Sequence, residues 1–217
     1  MSTNLVVDLS IHVRMSELGE ISPNRVRFTP QLVKATIDDL IAINESEENG
    51  LFELVDGCLV EKAMSYEASV VAAAILSILR VFISKHRLGL VSGPDGFFQL
   101  QSSTRGPNVA FVALDRLPGG AFPTQAYPGI APNLVVEVLS PGNTKGEMAK
   151  KRLEYFQSGV KIVWIVDCKQ RTITIYTSPS IAKVVSETET IDGGESIPGF
   201  SSLVADFFSD LDIGAKP

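Results

Sequence analysis

Residues 133–140 read NLVVEVLS, and this stretch limits the fold most tightly. Asn133, Val135, Glu137 and Leu139 alternate on one face, and Leu134, Val136, Val138 and Ser140 on the other. Both faces are mostly apolar, as in a strand covered on two sides. Such a strand needs packed layers above and below it, which points to an α/β fold around a central sheet. Glu137 is the exception. An ionised carboxylate there costs several kcal/mol unless a cation, a metal ion or hydrogen-bond donors meet it. A functional site and a structural ion pair are both open readings.

The rest of the chain supplies the layers. LFELVDGCLVEKAM (51–64) reads as a hairpin, with two apolar runs around Asp56-Gly57, a type I′ turn signal. Residues 66–86 read as a helix with apolar Val70, Val71, Ala74, Ile75, Ile78, Leu79 and Phe82, closed by Leu88-Gly89. Residues 29–46 have helical spacing with Thr29 or Thr36 as N-cap. Residues 90–93, 97–101 and 108–113 are strand candidates, and 116–132 is a long Pro/Gly-rich connection of the kind that is often functional. A helix is expected over 144–157, capped by Asn143 or Thr144 and closed by Ser158-Gly159. Residues 160–167, 171–177 and AKVVSE then read as strands, and SLVADFF as a short helix. The expected architecture is a central mixed sheet flanked by helices, with an N-terminal hairpin and extra C-terminal strands. Residues 1–28 read as an N-terminal arm and 29–217 as a single domain.

Composition narrows the function classes. The net charge of −6 offers no basic footprint for coating nucleic acid, though a local basic groove is compatible with it. Two cysteines, Cys58 and Cys168, without CxxC spacing are expected as free thiols. His12 and His86 have no metal-ligand spacing around them. The opening MSTNLVVDLSIHVR lacks a basic region followed by a long apolar core, and VVAAAILSILRVFI is interrupted by Arg80 and short for a membrane span. A cytoplasmic protein without membrane contact is expected.

Candidate chemistry gathers around Glu137. On the helix that follows, Glu147, Lys151 and Tyr155 are spaced i, i+4, i+8 along one side, with Met148, Ala149, Leu153 and Phe156 as the expected core side. The stripe is either a solvated face or a means for Lys151 to reach Glu137. A hydrolytic metal site would want a second acid from a neighbouring strand, and RGPNVAFV brings Asn108 there. Asp95, in GPDGFF, reads as a turn residue or as a substitute carboxylate.

GCLVEKAMSYEAS, RGPNVAFVALDRLPGG, APNLVVEVLSPGNTKGEMAKKRLEYFQSGVKIVWIVD and IPGFSSLVADFF together resemble the Uma family of putative restriction endonucleases, of the PD-(D/E)XK nuclease superfamily. The resemblance covers roughly residues 30–210 in order. It implies a restriction-endonuclease-like core with a divalent metal, Mg²⁺ or Mn²⁺, at the edge of the sheet. By the resemblance Glu137 matches the strand glutamate and Lys151 the superfamily lysine, displaced to the helix. Glu147 and Tyr155 match the acid and the tyrosine one turn to either side. Glu67, otherwise explained by the helix dipole, matches a polar position near the site. The departure is Asn108, where the family usually has Asp in PDVAF; the metal pair would be Glu137 and Asn108, short of one charge.

Two functions follow from the resemblance. One is an endonuclease hydrolysing DNA phosphodiesters, with Lys145, Lys150 and Arg152 beside Lys151 meeting the phosphates, and a homodimer by analogy with enzymes that cut both strands. The other is a degenerate nuclease fold kept as a nucleic-acid or protein interaction module. A third reading is the bland one, a buried Glu137–Lys151 ion pair that holds helix to sheet.

Overall fold

The computed structural model describes residues 12–47 and 50–214. Residues 12–28 pack onto the hairpin rather than standing apart. Met15, Leu18, Ile21 and Val26 join Val55, Cys58 and Val60 in one apolar cluster, and β1 (Val26–Arg27) pairs with the second hairpin strand. The expected helix over 29–46 is shorter, α1 (Ile37–Asn44), because the chain has its capping box at Thr36 and Asp39. Asp56 and Gly57 both have positive φ, 46° and 72°, as the type I′ turn requires. That turn joins β2 (Phe52–Val55) to β3 (Cys58–Glu61).

Next comes α2 (Tyr66–His86), N-capped by Ser65 and ended by Arg87 in the left-handed region. By length and composition alone this helix could cross a membrane. In the fold its Val71, Ile75, Leu79 and Ile83 are buried against the central sheet, as in a core helix. Then follow β4 (Gly89–Ser92), β5 (Phe98–Gln99), β6 (Ser103–Arg105) and β7 (Val109–Ala113). The connection 114–133 carries two 3₁₀ turns and is pinned by Arg116, which donates to the carbonyls of Ala131, Pro132 and Gly159. After β8 (Leu134–Val138) come α3 (Lys145–Gln157), β9 (Ile162–Asp167), β10 (Thr172–Tyr176) and β11 (Ala182–Ser186). The small pair β12 (Thr190–Asp192) and β13 (Ser201–Leu203) precedes 3₁₀ turns at Val204–Phe207 and Ser209–Asp212. SLVADFF is therefore strand then 3₁₀ turn, not the expected helix.

The central sheet has the order β11-β10-β9-β8-β7-β4, antiparallel except for parallel β8 and β9, and the expected mixed sheet flanked by helices is present. Its two faces separate by residue parity. Leu134, Val136 and Val138 face the cluster that holds α2, whereas Val135 faces the cluster with Tyr155 of α3. A second sheet, β1-β3-β2-β6-β5, carries the hairpin. Cys58 and Cys168 are free and buried.

Candidate active site

Glu137 lies in β8 on the parity of Val135 and is 5% exposed. That parity turns it toward α3. Thr144 caps α3 by bonding the Glu147 N–H, and Glu147 reciprocates, which fixes where the helix begins. From that start, Lys151 and Tyr155 stand one and two turns along and both reach one oxygen of Glu137. Lys151 Nζ is 3.2 Å from Oε1, and the Tyr155 hydroxyl donates to the same atom at 2.6 Å.

The face of α3 corrects the sequence expectation. Its buried residues are Glu147, Met148, Lys151, Glu154 and Tyr155, while Leu153 is 44% exposed and Ala149 faces solvent. The polar stripe turns inward because buried partners of opposite charge wait for it. Lys151 also donates to Glu53 of β2 at 3.0 Å. Glu53 in turn accepts from Arg105 of β6 at 2.9 Å and from the Gly106 N–H at 3.2 Å. Arg105 reaches Glu154 at 2.7 Å, and Ser103 donates to the same carboxylate oxygen at 2.9 Å. Two sheets and α3 thus meet in one buried network. Paired and hydrogen-bonded charges of this kind tolerate burial; any member left alone would not.

The electrostatics follow from these contacts. Burial pushes the Glu53 carboxyl up, but Lys151 and Arg105 outweigh it and hold its pKa at about 2. Burial acts on Lys151 in the lowering direction, and Glu137 and Glu53 reverse it, so its pKa is raised. Burial and the neighbouring Glu137 raise the Tyr155 phenol well above its ordinary value, which keeps it a donor. Burial lowers the pKa of Lys62, the residue after β3, against the pull of Glu53.

The other expected residues are distributed as follows. Asn108 precedes β7, which pairs antiparallel with β8, and its Oδ1 accepts the Val138 N–H at 2.8 Å. It lines a cavity of about 300 Å³ with Lys62, Ser65, Asp95 and Ser140, while Glu137 and Lys151 are buried and do not form its wall. Asp95 is exposed at this rim, in the turn Pro94-Asp95. Glu67 is exposed on a different cavity of about 520 Å³, which it shares with Lys145, Arg152 and Cys168. It is not brought to Glu137. Lys150 turns to the hairpin and pairs with Asp56 at 2.7 Å. Arg152 lies over the Tyr176 ring and donates to the Pro179 carbonyl. Of the three expected phosphate contacts, Lys145 and Arg152 thus share one cavity and Lys150 turns away from it. Glu147 is held by Arg25 through two hydrogen bonds, 2.8 and 3.0 Å.

Sequence reasoning missed Glu53, Arg105, Glu154 and Lys62. Glu53 had a signal, since it interrupts an apolar strand as Glu137 does. Arg105 had a weaker one, a charge just before Gly-Pro. The expected metal pair fares poorly as a donor set. Glu137 accepts an ammonium and a phenol on Oε1, so only Oε2 is left to offer, and Asn108 Oδ1 already holds a backbone N–H. Within the buried cluster Glu53, Glu137 and Glu154 face Lys62, Lys151 and Arg105, three charges of each sign, while Asp95 stands exposed at the rim and Glu147 is paired with Arg25. No group of three His, Cys, Asp or Glu among the described residues suits a metal ion. Divalent cations bind where carboxylate charge is in excess, so the residues present do not fit one well.

Comparison with known proteins agrees with this framework. The sequence matches the Uma2 family, described as "Putative restriction endonuclease", over residues 37–207. A crystal structure titled as a putative nuclease belonging to DUF820, from Anabaena variabilis, superposes with a TM-score of 0.69 at 18% identity. The alignment covers 80% of this chain and 97% of that one, and at such identity it speaks for the fold. No curated protein gives a significant sequence match. Spanning β2 and β3, the Glu137 strand, α3 and the strands beyond it, the family match runs over most of the chain, and the protein belongs to the Uma2 family.

Proposed function

We propose that the protein is an endonuclease-type hydrolase of DNA phosphodiesters whose hydrolytic step is limited at position 108. The observation that carries this is the convergence of Lys151 and Tyr155 on Glu137, one strand away from Asn108 and its cavity. The chain's own residues would divide the work. Lys151 and Tyr155 fix the Glu137 carboxylate in position, and Asn108 offers an amide where a carboxylate would add charge. A divalent cation, Mg²⁺ or Mn²⁺, would supply Lewis acidity if Glu137 and residue 108 held it. The native donor set is poorly suited to that, which is the reason to expect impaired turnover.

The test is a plasmid-nicking assay across Mg²⁺ and Mn²⁺ titrations, wild type against Asn108→Asp. Cleavage by the wild type is expected to be slow, and at least about tenfold faster in Asn108→Asp, a change of about 1.4 kcal/mol in barrier. Intact DNA with both proteins at every metal concentration would sink the hydrolytic reading. The charge balance of the buried cluster favours a second reading, an interaction module that binds without cutting. Retained DNA binding in a protein that never cleaves would select it.

A further inference from the structure

The cavity beside Asn108 contains a charge that the proposed hydrolysis does not use. Lys62 is 7% exposed, and its Nζ donates to the Pro94 carbonyl at 2.9 Å with the Phe97 ring 5.6 Å away. An ammonium has three donors, and among the described residues this is the one hydrogen bond the Lys62 ammonium makes. Carboxylates from three separate elements nevertheless bear on it: Glu53 of β2, Glu137 of β8 and Asp95 of the turn before β5. Lys151 opposes them from α3. Glu53 and Glu137 are already bonded by Lys151 deeper in the fold, and Lys62 is the cation on the cavity wall itself.

We propose that Lys62 is the tethered cation of this cleft, standing in for a divalent metal ion, so that a phosphate group of a DNA backbone entering the cavity meets its ammonium directly. The inference rests on the reading of the cleft as a phosphodiester site. It makes sense of Asn108. With an ammonium resident on the cavity wall, a carboxylate at 108 is not needed for charge balance, and its amide oxygen is released to the Val138 N–H. It also names the source of the misfit to a metal. A divalent ion placed near Asn108 would sit close to a positive charge that desolvation leaves poorly screened. The cavity, about 300 Å³, has room for a phosphate group, and the Ser65-capped start of α2 lies on its wall, where helix N–H groups favour an anion.

The experiment uses the full-length chain freed of metal by EDTA, with Mn²⁺ followed by electron paramagnetic resonance. Wild type is expected to hold no Mn²⁺ that Glu137→Gln removes. The double variant Asn108→Asp/Lys62→Met is expected to bind Mn²⁺ at least about tenfold more tightly than Asn108→Asp alone, and Asn108→Asp/Lys62→Arg is not. A Glu137-dependent Mn²⁺ site in the wild type overturns the proposal, as does equal Mn²⁺ affinity in Asn108→Asp and the Lys62→Met double variant. If the double variant does not fold, the wild-type measurement decides. In EDTA, duplex binding read by fluorescence anisotropy should weaken at least about fivefold in Lys62→Met and return in Lys62→Arg; unchanged binding in Lys62→Met overturns the phosphate contact. The two readings fail separately. Cleavage by Asn108→Asp, with a Glu137-dependent Mn²⁺ site in wild type, removes the Lys62 inference alone. Mn²⁺ results as expected, with no form binding DNA, remove the phosphodiester reading and the phosphate contact with it, and leave Lys62 as the cation that excludes a metal from the cleft.

Discussion

Tyr155 gives Glu137 its shortest hydrogen bond, 2.6 Å, from a side chain that is fully buried. Tyr155→Phe keeps the ring that packs with Val135 and Val163 and removes only the donor. A hydrogen bond to a charged acceptor contributes about 1.5–3 kcal/mol, so the variant should lose about 2 kcal/mol in urea unfolding. A loss within about 0.5 kcal/mol would mean that Lys151 alone satisfies the carboxylate. The same scale shows what could be recognised in the sequence. A glutamate between valines in a strand apolar on both faces announces a partner, and Glu137 carries that signal. Glu53 sits in an equally apolar strand and carries the same signal. The hairpin turn beside it accounts for the β2–β3 pairing and not for a buried carboxylate. Asn108 is half-legible: the sequence shows an amide, and only the paired strands show that its oxygen closes the β7–β8 ladder at Val138.

At the scale of elements, α3 presents the clearest divergence between pattern and structure. Its apolar residues Met148, Ala149, Leu153 and Phe156 suggest one core face, and the helix buries largely another. The reason is distance along the chain. Lys151 is stabilised by Glu53, 98 residues earlier, and Arg105 holds Glu154 from 49 residues earlier. Periodicity describes a helix against a generic apolar layer and carries no record of buried charges arriving from elsewhere. By contrast, the capping boxes at Thr36 and Thr144 and the Asp56-Gly57 turn are local chemistry, and those boundaries could be recognised from a few residues. β6 could not, being three residues long and polar. The turned helix makes a paired prediction. Leu153→Ala, at a 44% exposed position, should cost under about 1 kcal/mol. Lys151→Met should cost about 3–5 kcal/mol, since it leaves Glu137 and Glu53 short of a buried counter-ion. Urea unfolding of the two variants reads both, and the reverse order would restore the apolar face as the core side.

At the scale of the whole molecule, the charged network is the junction between the two sheets. Glu53 and Arg105 belong to the hairpin sheet, Glu137 to the central sheet, and Lys151 and Glu154 to the helix between them. Acid should therefore attack the fold at this junction. The Glu53 carboxyl, held at about 2 in the folded chain, has an ordinary value of 4.5. A depressed folded-state pKa means that the unfolded chain binds the proton more readily. The stabilisation is complete above about pH 4.5 and is lost as pH falls toward about 2. A displacement of this size corresponds to roughly 3 kcal/mol. Glu147 is lowered as well: burial raises it, and Arg25 reverses that. Some acid sensitivity will therefore remain without Glu53. The expected comparison is urea unfolding of wild type and Glu53→Gln between pH 7 and pH 2. Wild type should be the more stable at pH 7, because Glu53→Gln leaves Lys151 and Arg105 with one carboxylate fewer. That gap should hold to about pH 5 and then close as pH approaches 2, where the wild-type carboxyl also becomes neutral. A gap of constant size through this window would mean that Glu53 contributes by packing and geometry rather than by its charge, and that the two sheets are joined by something other than the network.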